Sequence, residues 1–211
     1  MQPTTNDVQP VAAHPMPWWA RLCKRTFDIV CSLIGLLVWS WLMLIIWICI
    51  KLEDGGPAIF KQERIGYKGK PFTLYKFRSM IVEAERDGAQ LYHSGDDRLT
   101  RVGRFIRDHH IDELPQLWNV LVGDMSFVGY RPERQVFIDQ IMEHNPDYAR
   151  LYAMRPGLFS MATLYNGYTD TMEKMLERLR MDLEYLEKCS FLLDMKIITL
   201  TALSILTGKK F

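Results

Sequence analysis

The chain has 211 residues, 48% of them hydrophobic, and a formal net charge of +1. That length buries one sizeable core with room for an appended segment, and the near-balance of charge argues against a protein built to coat nucleic acid. Four cysteines, Cys23, Cys31, Cys49 and Cys189, lack the CxxC spacing of a zinc site and read as reduced, small apolar residues of a cytoplasmic domain.

Residues 1–17 are polar and punctuated by proline, and read as a disordered tail. Trp18 and Trp19 suit a membrane interface. The run Ile29 to Ile50 then carries no charge in 22 residues; as a helix it is about 33 Å long, enough for a hydrocarbon core. It is too long for the apolar part of a secretory signal, and no small-residue cleavage site follows. Orientation by flanking charge fails, because Arg21, Lys24 and Arg25 precede the run while Lys51, Lys61 and Arg64 follow it. A simple span competes here with a helix that enters the membrane, bends and returns. Trp39 and Trp41 lie at its midpoint, and Ser40 between them can bond back to a carbonyl one turn earlier and bend the helix.

Pro57 to Met80 reads as two short strands around Gly66-Tyr67-Lys68-Gly69, a hairpin, with Lys76 and Arg78 on one face of the second strand. "TRVGRFIRDHH" reads as a helix with Arg101, Arg104 and Arg107 three apart. Between Lys61 and Arg107 there are 11 Lys or Arg against 6 Asp or Glu, and from Glu133 to Asp194 the balance reverses to 7 against 11. A basic stretch that leads into carboxylates suggests an anionic ligand held near them. Those carboxylates are Asp112 and Glu113 in "HHIDELPQLWN". Read locally, they are the acidic start of a short amphipathic helix with Leu114, Leu117, Trp118 and Leu121 on its inner face and Pro115 in its first turn. Gly123-Asp124 ends that helix, and "MSFVGYRPE" follows as a strand into Arg131-Pro132.

"MRPGLFSMATLYNGYTD" is turn-rich. From Thr171 the pattern is helical, with Met172, Met175, Leu176, Leu179, Leu183 and Leu186 as a core stripe. The last apolar run, Ile197 to Thr207, is too short to span a membrane, and Lys209 and Lys210 after it suit anionic headgroups. The fold read from these segments is mainly α with a small β-hairpin: a disordered tail (1–17), an apolar membrane helix (18–52) and a folded domain (53–211), with interfacial amphipathic helices.

Taken in order, "KRTFD", "GGPAIFKQERIGYKGKPFTLYKFRSM", "TRVGRFIRDHHIDELPQLWNVLVGDMSFVGYRP", "RPG" and "LDMKI" strongly resemble the bacterial sugar transferase family, the monotopic polyprenyl-phosphate phosphoglycosyltransferases, over about residues 18 to 207. The resemblance implies a minimal catalytic unit that takes sugar phosphate from a UDP-sugar and gives it to polyprenyl (undecaprenyl) phosphate, releasing UMP. It also implies that the membrane helix (18–52) is re-entrant and that 53–211 is a cytoplasmic catalytic domain packed on the membrane surface. It implies Asp112 as the covalent nucleophile, Glu113 as a Mg²⁺ ligand beside it, and Arg131 as a phosphate-binding arginine, with Lys76 and Arg78 as further candidates for the same anion. His109 and His110 fit a structural or capping role better than a proton relay. The expected partners are the two substrates, inner-membrane lipids on the cytoplasmic face, and a second copy of the chain; nucleic acid is not among them. The expected role is the first membrane step of surface-glycan assembly, for exopolysaccharide, capsule or O-antigen. The chain departs from the family at Tyr130, where proline is usual before the arginine, and at Ser40-Trp41, where Ser-Pro is common. Two other readings stand beside this one: a membrane-anchored anion-binding module, and a bitopic scaffold in which Asp112 merely caps a helix.

Overall fold

The computed structural model describes residues 14–86, 88, 90, 96–165 and 169–207. Most of the expected tail lies outside the described residues, as do Lys209 and Lys210. The end of the tail is packed down, for Met16 is buried.

Helix α1, Trp18–Asp54, has 37 residues and is about 55 Å long at 1.5 Å per residue. It is unbroken through Trp39-Ser40-Trp41, and the Ser40 hydroxyl donates to the Leu37 carbonyl at 2.8 Å. Leu33, Ile34, Leu37, Val38, Trp41, Leu44 and Ile48 stand exposed, whereas Asp28, Ser32, Ile46 and Ile50 are buried. That spacing traces one stripe along the helix, and the rest of the chain packs against it.

Strands β1 (Ile59–Ile65) and β2 (Pro71–Phe77) form the expected antiparallel hairpin, Ile59 opposite Phe77 and Ile65 opposite Pro71, around a 3-10 turn at Tyr67–Gly69. Helix α2 (Arg101–Asp108) starts on Thr100, whose hydroxyl accepts from the Gly103 N–H at 2.9 Å and satisfies one of the free donors of the first turn. A 3-10 turn (Ile111–Glu113), helix α3 (Gln116–Val122) and strand β3 (Ser126–Val128) follow. After α4 (Gln135–His144) and a 3-10 stretch (Pro146–Ala153) come β4 (Gly157–Phe159), α5 (Met161–Tyr165), α6 (Met172–Lys188) and α7 (Phe191–Leu206). The main core gathers β3, α4, α6 and the 3-10 stretch around Tyr130, Ile138, Ile141, Leu151, Met175 and Tyr185. A second core joins the end of α1 to the hairpin and α2 through Ile46, Ile50, Ala58, Phe77 and Ile106.

Two local expectations are corrected. The segment read as turn-rich contains β4, which pairs in parallel with β3, Ser126 opposite Gly157 and Val128 opposite Phe159. The acidic pair and α3 are not one helix either: the pair has its own 3-10 turn, and the inner face of α3 is Gln116, Leu117, Asn119 and Val120, with Trp118 exposed. Asn119 is the reason. Its side chain donates to the Thr73 carbonyl at 2.7 Å and accepts from the Tyr75 N–H at 3.1 Å. A fully buried amide needs such partners, so α3 turns Asn119 rather than Trp118 toward β2.

The approach of α2 to the end of the hairpin depends on a missing side chain. A Cβ on Gly103 would sit 1.9 Å from the Ser79 carbonyl oxygen, whereas one on Gly35, in α1, would meet only the flexible end of Leu117 at 3.1 Å. Gly103→Ala is therefore expected to lower stability by about 3 kcal/mol, at the upper end of overpacking costs, and Gly35→Ala by less than about 1 kcal/mol. Denaturant titration of both purified variants measures the difference; equal losses would show that α2 can slide off Ser79.

Candidate active site

Three short segments bring charge to one place. The 3-10 turn carries Asp112 and Glu113, β2 carries Lys76, and the chain leaving β3 carries Arg131. Lys76 Nζ and Arg131 Nη2 both donate to Glu113 Oε1, at 2.6 and 2.7 Å. Burial works against the ionised Glu113, but the charges of Arg131 and Lys76 outweigh it and hold the carboxyl far below its usual range. The same contact raises Arg131, and burial lowers Lys76 despite Glu113.

Asp112 meets the opposite environment. It is 5% exposed, and among the described residues it accepts no hydrogen bond and caps no helix. Burial pushes its carboxyl up, Lys76 pulls it back in part, and the neighbouring charge of Glu113 adds to the rise. Adjacent carboxylates thus differ sharply in proton affinity, a pattern that separates roles at reactive sites. The reading of Asp112 as a helix cap has no hydrogen bond to support it. The backbone entering the turn is left-handed at His110, φ 56°, an uncommon conformation for a residue with a side chain. His109 takes the structural role expected of it: its Nδ1 lies 2.8 Å from the Phe105 carbonyl and its ring packs on Phe105.

Arg78 is not brought to this cluster. It is buried at the end of the hairpin, where its guanidinium pairs with both carboxylate oxygens of Asp54 and donates through Nε to the Pro57 carbonyl at 2.7 Å. Its donors are spent on tying β2 to the end of α1. Arg134, three residues after Arg131, turns outward to Glu85 at 2.9 Å.

The acidic pair lines a cavity of about 110 Å³ with Lys76, Arg107, Arg131 and Arg178 around it and Thr163 and Thr169 on the far side. Arg107, Thr163, Thr169 and Arg178 are not anticipated from sequence. The signal for Arg178 lies in the helical period of α6, where Met175, Arg178, Leu179, Asp182 and Leu186 share the buried face; a cation in that stripe needs a reason. Glu133 supplies it, pairing with both Arg178 and Arg64. Asp182, next along the stripe, accepts from the Arg131 N–H at 3.4 Å, and burial pushes its carboxyl up to about 7. A larger, mainly apolar groove of about 650 Å³ runs between α1, α3 and α7, lined by Phe27, Trp39, Leu117, Phe159 and Ile198 among others. His110, Glu113 and Thr163 belong to both walls.

Among the described residues no three potential metal ligands cluster together. The pair nonetheless fits a hard divalent cation: a buried carboxylate without donors and a neighbour with one free oxygen suit an ion such as Mg²⁺, which takes one or two carboxylates and completes its shell with water and phosphate.

Comparison with known proteins identifies the family. A family profile described as bacterial sugar transferase matches residues 19–208. The chain is 42% identical over 194 residues to a UDP-N-acetylgalactosamine-undecaprenyl-phosphate N-acetylgalactosaminephosphotransferase of Aeromonas hydrophila, covering 92% of this chain and 46% of that protein. It is 42% identical over 208 residues to a UDP-glucose:undecaprenyl-phosphate glucose-1-phosphate transferase of Caulobacter vibrioides, covering 97% and 78%. A protein of the same name from Escherichia coli is 39% identical over 196 residues, covering 92% and 42%. The chain thus spans somewhat less than half of the Aeromonas and Escherichia relatives. The chain belongs to the bacterial sugar transferase family.

Proposed function

We propose that the chain transfers a sugar 1-phosphate from a UDP-sugar to polyprenyl phosphate at the cytoplasmic face of the inner membrane. One observation carries this reading: a small cation-rich cavity that holds the carboxylate pair shares a wall with a long apolar groove, and Glu113 stands at that wall. A nucleotide diphosphate suits the first space and a polyprenyl tail the second. The curated relatives carry both kinds of substrate in their names.

In this mechanism Arg131 and Lys76 hold the donor diphosphate, and the planar guanidinium of Arg131 suits paired phosphate oxygens. An Oδ of ionised Asp112 attacks the phosphorus that bears the sugar. The P–O bond to the other phosphate breaks, UMP leaves, and an aspartyl phosphosugar remains. A phosphate oxygen of the polyprenyl acceptor then attacks the same phosphorus, which frees the Asp112 carboxylate and forms the polyprenyl-diphosphate sugar. Mg²⁺ held by Asp112 and Glu113 would offset the charge of the diphosphate. Glu113 holds Lys76 and Arg131 in place through its ion pairs.

The membrane seat follows from α1. Its apolar side chains are largely exposed, and both of its ends are fastened to the same folded unit. A helix held in this way is consistent with both ends on one side of the bilayer, although it runs unbroken through Ser40. In a chain cleared of its native cysteines, single cysteines at Thr5 and Lys61 are expected to be equally shielded from an impermeant thiol reagent in intact cells. Labelling from outside at Thr5 alone would establish a span.

Asp112→Asn is expected to abolish transfer without loss of stability. A carboxyl whose folded pKa lies above its ordinary value of 3.8 costs stability as pH rises from that value to the raised one, because the unfolded chain releases its proton first. Asparagine cannot ionise, so the variant lacks that decline and at pH 7 is at least as stable as the wild type. Glu113 acts in the opposite sense, losing stability as pH falls through its ordinary range, and is common to both proteins. With UDP-sugar and no acceptor, the wild type should release UMP limited to the amount of enzyme and retain labelled sugar phosphate. Absence of labelled protein under rapid quench would exclude the covalent step.

Arg131→Ala should lower kcat/KM by about 100-fold or more, the usual cost of removing a preorganised charge from a transferring group. Arg134→Ala, whose partner is Glu85, should lower it less than about threefold. Equal mild losses would remove Arg131 from the phosphate site.

A further inference from the structure

A second cation-rich cavity lies at the beginning of α1, on the other side of β3 from the acidic pair. It is lined by His14, Arg21, Lys24, Arg25, Asp28 and Arg155, with Tyr67 and Ser126 among its other walls, and measures about 60 Å³. That is roughly four times the space one water needs, enough for the oxygens of a phosphate group. We propose that this cavity holds the phosphate of an anionic phospholipid headgroup.

The bonding of its charges leaves donors for an anion. Lys24 is occupied by Asp194 at 2.5 Å and the Val128 carbonyl at 2.9 Å. Arg25 is spent on the last carbonyls of α3, Val120 and Leu121, at 2.6 and 2.7 Å. Asp28 accepts from the Phe127 N–H at 3.0 Å. Arg155 uses Nε on the Gly123 carbonyl at 2.8 Å and rests its guanidinium over the Tyr67 ring, which leaves its terminal nitrogens open. The Arg21 guanidinium has no hydrogen bond or ion pair among the described residues. Four cations therefore face two carboxylates, with the donors of two arginines unspent. The field is felt by His14, which burial, Arg21, Lys24 and Arg155 together lower to about 4; a neutral imidazole adds no competing charge.

The position selects a lipid over a soluble anion. Trp18 and Trp19 stand 70% and 59% exposed on the turn before Arg21, and tryptophan prefers the headgroup level of a bilayer. The exposed apolar stretch of α1 begins one turn beyond Arg25. The cavity thus lies where the phosphates of the surrounding leaflet lie, and a diester monoanion satisfies two arginine donors. This inference rests on the membrane seat proposed for α1 and is independent of the transfer reaction.

The test uses the full-length protein in mixed micelles of phosphatidylglycerol and phosphatidylcholine, with bound lipid counted by native mass spectrometry. The wild type should retain phosphatidylglycerol in preference. Arg21→Gln and Arg155→Gln should each weaken that retention about fivefold, the usual effect of one basic residue at an anionic surface. Arg104→Gln, which removes an exposed cation of α2, should leave it unchanged. A photoreactive phosphatidylglycerol should label the wild type within residues 14–28 or beside Arg155, a result that needs no variant to fold. Equal retention of the two lipids, equal loss in Arg104→Gln, labelling elsewhere, or displacement by inorganic phosphate would each overturn the headgroup site. Flotation on pure phosphatidylcholine vesicles tests the membrane seat separately: a chain that floats without discriminating between lipids refutes the site and leaves the seat intact.

Discussion

The structure depends on fastening one very apolar helix by its polar ends. Between Ile29 and Ile50 α1 offers no charge to bind with, so its attachment falls to the residues that flank that run. At the start, Lys24 reaches Asp194 of α7, Arg25 caps the carbonyl end of α3, and Asp28 accepts from β3. At the finish, Asp54 grips Arg78, while Glu53 accepts from the Arg101 and Val102 N–H groups and so caps α2. The buried contacts among these satisfy backbone or ionic groups that would otherwise be costly to bury. Because α2, α3 and β3 are the elements that enter and leave the acidic pair, the helix frames the site as well as anchoring the chain.

Within that frame the two carboxylates are distinguished by their partners alone. Glu113 has two cations on one oxygen, and Asp112 has none in hydrogen-bond contact. An ion pair in a half-buried place is strongly disfavoured when only one member is removed, so Glu113, Lys76 and Arg131 form a set that preserves its geometry. Asp112 is exempt from that set. A carboxylate with no stabilising partner of its own gains most from an incoming electrophile or cation, and that difference, rather than the adjacency of two acids, is what makes the pair chemically asymmetric.

Much of this was legible from the residues. The hairpin around Gly66 to Gly69 follows from alternation and turn chemistry, and α6 begins at Thr171, where a capping hydroxyl precedes a helical stripe. Lys76, Asp112, Glu113 and Arg131 were legible through the resemblance, and the structure brings them together. What escaped depends on partners distant in the chain. Arg78 looks like Lys76 from sequence, two residues on in the same run, yet the strand ends at Phe77 and Asp54 claims it. Trp118 fits an inner face by period, but a buried Asn119 needed amide partners on β2 and rotated the helix. Strand β4 is three residues long and finds its pair 31 positions earlier, from Ser126 to Gly157, a match that no local pattern encodes. Arg178 and Asp182 were hidden because a stripe of methionine and leucine invites an apolar reading; the buried charges on it are visible only when the period is followed through every position.

The shared wall has a thermodynamic consequence. His110, Glu113 and Thr163 face the charged cavity on one side and the apolar groove on the other. A hydrocarbon chain lodged in the groove would strip water from that wall and lower the dielectric response felt by Glu113, strengthening its attraction to Lys76 and Arg131. It would also raise the cost of ionising Asp112 until a cation or diphosphate arrived to meet it. With the occupants proposed above, occupancy of one compartment would be coupled to proton and anion affinity in the other, and such coupling is reciprocal.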